Sequence, residues 1–404
     1  MRKMGLKEWL FIIPTLLLIG VFSLWPVLQS FTYTFFDYHL NDQQKAGLYL
    51  SERFNTSLFN ETKMYVTMFL KEDLPNIKDT ADKDRVANVN KELSAVDQEF
   101  KNKTGVIKIS QQEKKQMENL HKDAKDLVTY LNQKYKLIHK TDLPQVVNDL
   151  QKCIIPSNFI GLQGYKQALA DPRVGIALRN TLVFTVISVF IELVLGLGLA
   201  LVLNKAIFGK GLIRTTSLIP WAIPTAVAAL MWNYLFDGTS GIVAHFFEMF
   251  HLISKSQDLL LTGAGAMAST ILADVWKTTP YMALLLLAGL QNISKDLYEA
   301  ASIDGATKIQ SFFQVTLPLL KPSILVALLF RMLDAFRVFD LIYVLTGGGP
   351  GGETETMSIY AYKVMFGQTN FGYGSIIVML MFVCVAIIAI IFVKFLGANL
   401  MERS

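Results

Sequence analysis

The residues best suited to chemistry are four charged side chains inside one apolar stretch. Arg331, Asp334, Arg337 and Asp340 follow one another at intervals of three. Residues three apart are neighbours on a helix surface, so Arg331 can pair with Asp334 and Arg337 with Asp340. A charge at the centre of a bilayer costs about 2.5–3.5 kcal/mol, so in a membrane-spanning helix these side chains must face protein or water.

Other kinds of chemistry lack their residue patterns. The sequence contains no G-x-x-x-x-G-K-[ST] motif, and the glycine-rich run at 347–352 lacks the following Lys. Its five histidines have no metal-ligand spacing, and Cys153 and Cys384 cannot define a disulfide framework. We therefore expect no catalysis, no metal site and no cofactor on this chain, and we expect the glycine-rich run to be a flexible outer turn.

Composition indicates a membrane protein. The 404 residues are 52% hydrophobic and 18% charged, with a mean hydropathy of +0.37. The formal net charge of +5 is too small and diffuse for a nucleic-acid partner. Charge is also unevenly placed, because 35 of the 71 charged residues lie between 41 and 150. This distribution predicts a water-soluble insert inside a protein of the lipid bilayer.

Six apolar windows are long enough to cross about 30 Å of hydrocarbon. They cover residues 10–36, 181–203, 212–236, 267–290, 322–345 and 374–395. The first is longer than a signal-peptide core and precedes no A-x-A cleavage site, which favours a retained helix. The windows predict an all-α membrane protein with six transmembrane helices.

Basic residues predict the orientation, since short cytoplasmic loops carry an excess of Lys and Arg. With the N-terminus inside, the inner segments hold Arg2, Lys3, Lys7, Lys205, Lys210, Arg214, Lys295, Lys308, Lys321, Lys394 and Arg403. The short outer loops hold only Lys255 and Lys363. We expect both termini in the cytoplasm, a multi-pass protein of the plasma membrane, and the hydrophilic insert outside.

Two apolar stripes predict that the insert is helical. Their residues recur every three or four positions, which is the helical period. The stripes are Val89, Leu93, Val96 and Phe100, then Met117, Leu120, Ala124, Leu127 and Leu131. Gly105 lies between them, so a helical hairpin is expected. The insert could serve as a solvated appendage or as a docking surface for an external partner.

A short segment between the fourth and fifth windows predicts a rigid cytoplasmic knob. Residues 299–304 can form a short helix that ends at Gly305, where glycine permits a positive φ. A second helix is expected through Phe312 and Phe313, with Pro318 as its stop.

This segment resembles the EAA motif of binding-protein-dependent ABC import permeases. Glu299-Ala300-Ala301, Gly305 and Val315-Thr316-Leu317-Pro318 stand at the motif's spacing, with Val in place of the usual Ile. Residues 1–40 and 155–404 resemble the carbohydrate branch, in particular the larger permease subunit of maltose- and trehalose-type transporters. The resemblance implies an ABC type I importer permease fold with an external insert. The domains expected in this chain are residues 1–40 with the first helix, the external insert 41–155, and a five-helix permease core 156–404 with a coupling loop at 291–320.

The resemblance also implies a heteromeric complex, in a bacterial source. A second homologous permease, two ATPase subunits and an extracellular solute-binding protein are expected, with ATP and Mg²⁺ bound on the ATPases. The loop would couple this chain to the ATPase through Glu299, Ala300, Ala301, Asp304, Gly305, Leu317 and Pro318.

Alignment with the maltose-type permease places sugar contacts in the fourth and fifth windows. The positions are Asp274, Thr278, Tyr281, Met282, Arg331, Asp334, Ala335 and Val338, with Trp276 and Tyr281 as apolar faces for a sugar ring. Two roles remain open for the charged set: ion pairs that fix the two permeases together, or hydrogen bonds to sugar hydroxyls.

The leading hypothesis is thus a permease subunit of an ATP-driven importer for a disaccharide or oligosaccharide. The alternative is a stand-alone secondary transporter in which Asp334 and Arg337 relay protons. Related halves with matching interrupted helices, which that alternative predicts, are not evident. A membrane-bound enzyme is a third and weaker possibility.

Overall fold

The computed structural model of the protein describes residues 6–205 and 209–401. Within it the chain forms two compact units. The first contains the described residues up to 162 together with 369–372, and the second contains 163–368 and the chain from 373 onward.

The first unit contains a long N-terminal helix and a small α/β domain. Its helices are α1 Leu6–Ile19, α2 Trp25–Tyr33, α3 Thr56–Asp73, α4 Thr80–Phe100, α5 Gln111–Lys134 and α6 Asp142–Lys152, with a π-helical turn at Gly20–Leu24 and a 3₁₀ turn at Leu74–Asn76. Three short strands, β1 Arg53–Asn55, β2 Val106–Lys108 and β3 Ile154–Ile155, form an antiparallel sheet in the order β2-β1-β3.

The predicted helical stripes of the insert are confirmed. All nine of their apolar side chains are buried in one hydrophobic core of this unit, on α4 and α5. A capping box between Ser110 and Glu113 starts α5. The structure adds α3, α6 and the sheet, which the stripes did not predict, and buries Cys153 in the same core. The insert is thus a domain with its own core.

Beyond residue 162 the described chain is mainly helical. Its helices are α7 Gln163–Ala170, α8 Pro172–Lys205, α9 Lys210–Ser217, α10 Ile219–Ala222, α11 Thr225–Leu235, α12 Ile242–Met249, α13 Asp258–Leu261, α14 Gly263–Gln291, α15 Lys295–Ile303, α16 Lys308–Ser311, α17 Leu317–Phe336, α18 Asp340–Leu345, α19 Met357–Tyr362 and α20 Phe371–Met401. Residues Phe312–Thr316 and Lys363–Gly367 form π-helical turns.

Among the described residues, five helices are long and apolar enough to cross a membrane. They cover Ile12–Tyr33, Pro172–Lys205, Gly263–Gln291, Lys308–Phe336 and Phe371–Phe395. These ranges correspond to the first, second, fourth, fifth and sixth apolar windows of the sequence.

The third window, 212–236, is a succession of α9, α10 and α11 rather than one continuous helix. The chain breaks at Ile223, whose ψ of 133° is extended. Proline disfavours the helical conformation for the residue before it, so Pro224 accounts for this break. The predicted span is present as apolar helical segments with an interruption.

The fifth window, 322–345, also differs from the prediction. Helix α17 ends at Phe336, and α18 begins separately at Asp340. The four charged residues therefore do not share one helix, and the expected pairing of Arg337 with Asp340 is wrong: Arg337 instead lies 3.8 Å from the Asp334 carboxylate. Asp340 occupies the first turn of α18, where an acidic side chain faces the positive end of the helix dipole.

Helices α8 and α14 pack closely because a glycine stands at their contact. A Cβ at Gly196 would lie 2.7 Å from Cγ of Met282 and 3.3 Å from the backbone nitrogen of Ala283. Met282 is fully buried, so its side chain has little room to move away. Gly198 has open space around its Cα and offers a control on the same helix.

We expect Gly196→Ala to destabilise the protein by roughly 1–3 kcal/mol, because the added methyl group overpacks the α8–α14 contact. The melting temperature and the yield of detergent-purified protein should both fall. Gly198→Ala should leave both unchanged. Equal behaviour of the two variants would contradict this account of the contact.

Candidate functional site

A polar cavity of about 550 Å³ lies where α10 and α11 break, beside α14, α17 and α18. Its lining includes an aromatic side chain, backbone at the break, and six charged residues. These residues are Trp221, Ala222, Ile223, Pro224, Thr225, Asp274, Lys277, Thr278, Arg331, Asp334, Ala335, Arg337, Val338, Phe339, Asp340 and Leu341. A cavity with this lining can accept a small, hydroxyl-rich ligand.

Arg331 connects three helices at the bottom of this cavity. Its Nε and Nη2 donate to the two carboxylate oxygens of Glu192 on α8, at 2.5 and 2.8 Å. Nη2 also donates to Oδ2 of Asp274 on α14, at 3.1 Å. The Arg331 side chain is 1% exposed, so the pairing is fully buried. Such a bidentate geometry suits the planar guanidinium and fixes its orientation.

Two hydroxyl groups complete the buried network. Ser188 on α8 contacts Oε1 of Glu192 at 3.1 Å and also contacts Oδ2 of Asp274. Thr278 contacts the same Glu192 oxygen at 2.6 Å and the backbone carbonyl of Asp274 at 2.6 Å. Every polar side chain in this group therefore has partners from another helix.

Asp334 is the most exposed member of the network at the cavity. Arg331 Nη1 donates to its carboxylate at 2.7 Å, which confirms the predicted pairing at a spacing of three. The Asp334 side chain is 61% exposed, in contrast to the buried carboxyls of Glu192 and Asp274. Arg331 thus holds an accessible carboxylate at the cavity surface.

Lys277 binds the backbone at the break between α10 and α11. Its Nζ donates to the backbone carbonyls of Trp221 at 3.2 Å and Ile223 at 2.5 Å. These carbonyls lie at the end of α10, where the last turn of a helix leaves acceptors without partners. A buried lysine therefore satisfies the backbone at the interruption that forms one wall of the cavity.

Six of the nine predicted substrate residues line the cavity: Asp274, Thr278, Arg331, Asp334, Ala335 and Val338. The structure places the other three elsewhere. Trp276 contacts Trp232 edge-to-face, and Met282 packs against Gly196. Tyr281 stacks on Trp221, with ring centroids 5.5 Å apart, and it is Trp221 rather than Tyr281 that lines the cavity.

Glu192 and Lys277 were not predicted from the sequence. Each is a charged residue inside a window that was selected for its apolar average. Charged residues within spans generally face the bundle interior and find partners there. Scanning the windows for single charges would have identified both residues.

The glycine-rich turn is joined to the start of α8. Asn180 Nδ2 donates to the carbonyls of Gly352 and Glu355, at 3.0 and 3.2 Å. Arg173 donates to the Glu355 carboxylate at 2.9 and 3.0 Å. Burial would raise the pKa of Glu355, but its hydrogen bonds from Arg173 and Lys363 keep that pKa below the ordinary value.

The coupling loop forms the predicted short helix, α15, followed by a turn at Gly305 with φ of +79°. A capping box between Thr307 and Gln310 starts α16. Tyr298 Oη and Thr316 Oγ1 lie 3.0 Å apart and connect α15 to the π-helical turn. Positive φ is uncommon for residues other than glycine, so Gly305 is required by its backbone conformation.

Pro318 does not stop the second helix, contrary to the prediction. The chain stays helical from Lys308 to Phe336. The π-helical turn at Phe312–Thr316 lies directly before the proline, with Leu317 N–H bonded to the carbonyl of Phe312. Such a widened turn is one way in which a helix accommodates proline. Pro318 then occupies the first turn of α17, where a missing N–H costs little.

The predicted coupling residues lie at the surface of the loop. Glu299, Ala300, Asp304, Gly305 and Pro318 are exposed, and Ala301 and Leu317 are half-buried. Large apolar side chains of the same loop are also exposed, namely Leu297, Ile303, Ile309 and Phe313. Ile303 is 86% exposed. Exposed apolar side chains of this size, when they lie together, are typical of surfaces that contact a protein or a membrane.

The fold and the site together define a multi-spanning membrane permease. One solved structure with a similar fold is a bacterial ABC transporter involved in the import of the acidic polysaccharide alginate, at a TM-score of 0.54 and 22% identity over 59% of this chain and 84% of that chain. Another, at a TM-score of 0.51, is a bacterial alginate ABC transporter in complex with an alginate pentasaccharide-bound periplasmic protein. The ABC importer permease fold is thereby confirmed.

Residues 176–402 match the family described as binding-protein-dependent transport system inner membrane component, and the chain belongs to that family. A trehalose transport system permease protein, SugA of Mycobacterium tuberculosis, is 47% identical over 59% of this chain and 76% of its own. A trehalose/maltose transport system permease protein, MalF of Thermococcus litoralis, is 44% identical over 58% and 79%. The comparisons give no support to a stand-alone secondary transporter.

We expect Arg331→Leu to prevent stable folding, because it leaves Glu192 and Asp274 as buried carboxyls without their cation. Removing one partner of a buried ion pair costs about 3–5 kcal/mol. Protein yield and melting temperature should fall sharply. Arg337→Leu is the control, since Arg337 is 67% exposed and its contact with Asp334 is loose. Normal yield of Arg331→Leu would show that the pairing is dispensable.

Proposed function

We propose that this chain is the permease subunit of an importer for a neutral disaccharide or oligosaccharide such as trehalose or maltose, and that the sugar passes through the polar cavity. The observation that carries the proposal is the convergence of six predicted substrate residues on that cavity. The trehalose and maltose relatives support the sugar class.

The cavity offers both kinds of group that bind sugars. Asp334 presents an accessible carboxylate oxygen for a hydroxyl, and Trp221 is 47% exposed, so its ring can pack against the apolar face of a sugar. Trp221 takes the part that the sequence assigned to Trp276 and Tyr281. Tyr281 supports it from behind by stacking.

The rest of the importer would be supplied by other chains. In this proposal a second homologous permease packs beside this one, two ATPase subunits bind ATP and Mg²⁺, and an extracellular solute-binding protein delivers the sugar. The exposed apolar residues of the coupling loop support an ATPase contact, since an aqueous environment alone does not favour them. No cofactor is assigned to this chain.

The excess of Lys and Arg in alternate loops supports an orientation with both termini and the coupling loop in the cytoplasm. The insert domain 41–155 then lies outside. A plasma membrane of a bacterial cell is the corresponding location.

Asp334→Ala tests the sugar site. Arg331 keeps Glu192 and Asp274 as partners in this variant, so the complex should assemble with normal yield. Loss of a hydrogen bond to a charged group costs about 1.5–3 kcal/mol, so the KM for disaccharide uptake should rise by at least about tenfold. Uptake of radiolabelled trehalose and maltose into proteoliposomes that contain the whole complex measures this.

Glu353→Gln is the matched control, because Glu353 forms an ion pair at the surface with Arg179 and does not line the cavity. Its KM should equal that of the unmodified protein. Poor assembly of Asp334→Ala would show that the residue is structural, and an unchanged KM would remove Asp334 from the sugar path.

Gly305→Val tests the coupling loop. A β-branched residue resists the φ of +79°, so the turn between α15 and α16 should change shape while the spans still assemble. ATP hydrolysis stimulated by sugar and binding protein should fall by at least about tenfold, which equals about 1.4 kcal/mol of lost coupling.

Gly305→Asn separates backbone strain from other effects, because asparagine adopts positive φ more readily than valine. This variant should retain most of the stimulated hydrolysis. If Gly305→Val hydrolyses ATP like the unmodified complex, the loop does not carry the coupling.

A further inference from the structure

We propose that Glu192 and Asp274 hold one proton between them and so act as a pair of single negative charge that balances and positions Arg331 and, through it, Asp334. The inference rests on the hydrogen-bonding partners of two buried hydroxyl groups. It deepens the proposed function, because it makes the sugar cavity electrically neutral.

The hydroxyl group of Ser188 has fewer hydrogen atoms than it has carboxyl contacts. Its single hydroxyl hydrogen faces two carboxyl oxygens, Oε1 of Glu192 and Oδ2 of Asp274. A carboxylate has no hydrogen to donate. Ser188 can donate to only one of the two oxygens, so the other carboxyl must bear a hydrogen if it is to donate to Ser188.

Thr278 repeats this arrangement. Its hydroxyl lies 2.6 Å from Oε1 of Glu192 and 2.6 Å from the carbonyl oxygen of Asp274, and it too has one hydrogen for two acceptors. Both hydroxyl groups are almost inaccessible to water, since Ser188 is fully buried and Thr278 is 7% exposed. A carbonyl oxygen cannot donate, so the shared proton, when it lies on Glu192, supplies the donor that Thr278 lacks, while Ser188 gives its own hydrogen to Asp274.

The numbers of cations and carboxyls around the cavity also indicate one bound proton. The cavity and the network behind it contain three cations, Lys277, Arg331 and Arg337. They contain four carboxyls, Glu192, Asp274, Asp334 and Asp340. Helix α8 contributes Glu192, α14 contributes Asp274 and Lys277, and α17 contributes Arg331 and Asp334. One proton brings the set to zero net charge. It also leaves one buried carboxylate against the one buried guanidinium of Arg331, since Asp334 and Arg337 are exposed, and a low-dielectric environment favours that balance.

Neutrality determines which ligands fit. Asp334 remains ionised beside Arg331 and Arg337, and the single negative charge of the buried pair is offset by the guanidinium of Arg331. The cavity as a whole therefore accepts hydroxyl groups and neither attracts nor repels cations. An uncharged sugar is the chemical class that matches it.

Infrared difference spectroscopy of the purified complex tests the proton directly and needs no sugar. The unmodified protein should show the carbonyl-stretch band of a protonated carboxylic acid in the membrane region. That band should disappear in Glu192→Gln and in Asp274→Asn, because either amide supplies the neutral group and leaves the other carboxyl ionised. Asp334→Asn is the matched control from the same network and should keep the band.

Melting temperatures provide a second measurement. The melting temperature of each single amide variant should lie closer to that of the unmodified complex than the melting temperature of Glu192→Ala or Asp274→Ala does. The double amide variant should melt far lower than the two single shifts added together, because Arg331 then lacks a buried anion. Absence of the band in the unmodified protein, or amide variants as unstable as the alanine variants, would overturn the proposal. Sugar uptake by the unmodified complex tests the proposed function separately.

Discussion

The packing of the long helices in the second unit depends on the guanidinium group of Arg331, which has no access to water. Arg331 on α17 binds Glu192 on α8 and Asp274 on α14, and it is 1% exposed. A buried charge without partners costs several kcal/mol, so these three helices must keep the rotation and depth that satisfy it. Gly196 permits the same arrangement sterically, because it lets α8 and α14 approach closely. Electrostatics and packing thus select one geometry.

One wall of the cavity is a backbone interruption that a charged side chain, Lys277, satisfies. Helix α10 ends at a break caused by Pro224, and Lys277 donates to the carbonyls left there. Helix α17 ends near Arg337, and Asp340 starts the next helix, α18. In a bilayer, irregular backbone is tolerated only where protein or a water-filled cavity satisfies it. The same charges therefore maintain the fold and give the cavity its polar lining.

The sequence predicted what is periodic or local. Apolar windows located the long helices, stripes of helical period located α4 and α5, and the spacing around Gly305 located the coupling turn. It did not predict the roles of Glu192 and Lys277, because averaging over about 20 apolar residues conceals a single charge whose partners lie on other helices. It also placed a stop at Pro318, because proline alone does not reveal that a π-helical turn can precede it. The insert's three strands were missed because they are only two or three residues long.

The coupling loop and the buried arginine share one element. The chain stays helical from Lys308 to Phe336, with a π-helical turn at Phe312–Thr316, so Lys308 in the loop and Arg331 lie on one helix, about 35 Å apart at 1.5 Å per residue. A displacement of the loop by an ATPase would move this helix as a whole. Because Arg331 is bound to Glu192 on α8 and to Asp274 on α14, a shift of α17 alone would break these buried ion pairs. In the proposed function, these ion pairs would therefore also be the contacts through which a movement of the loop reaches the cavity.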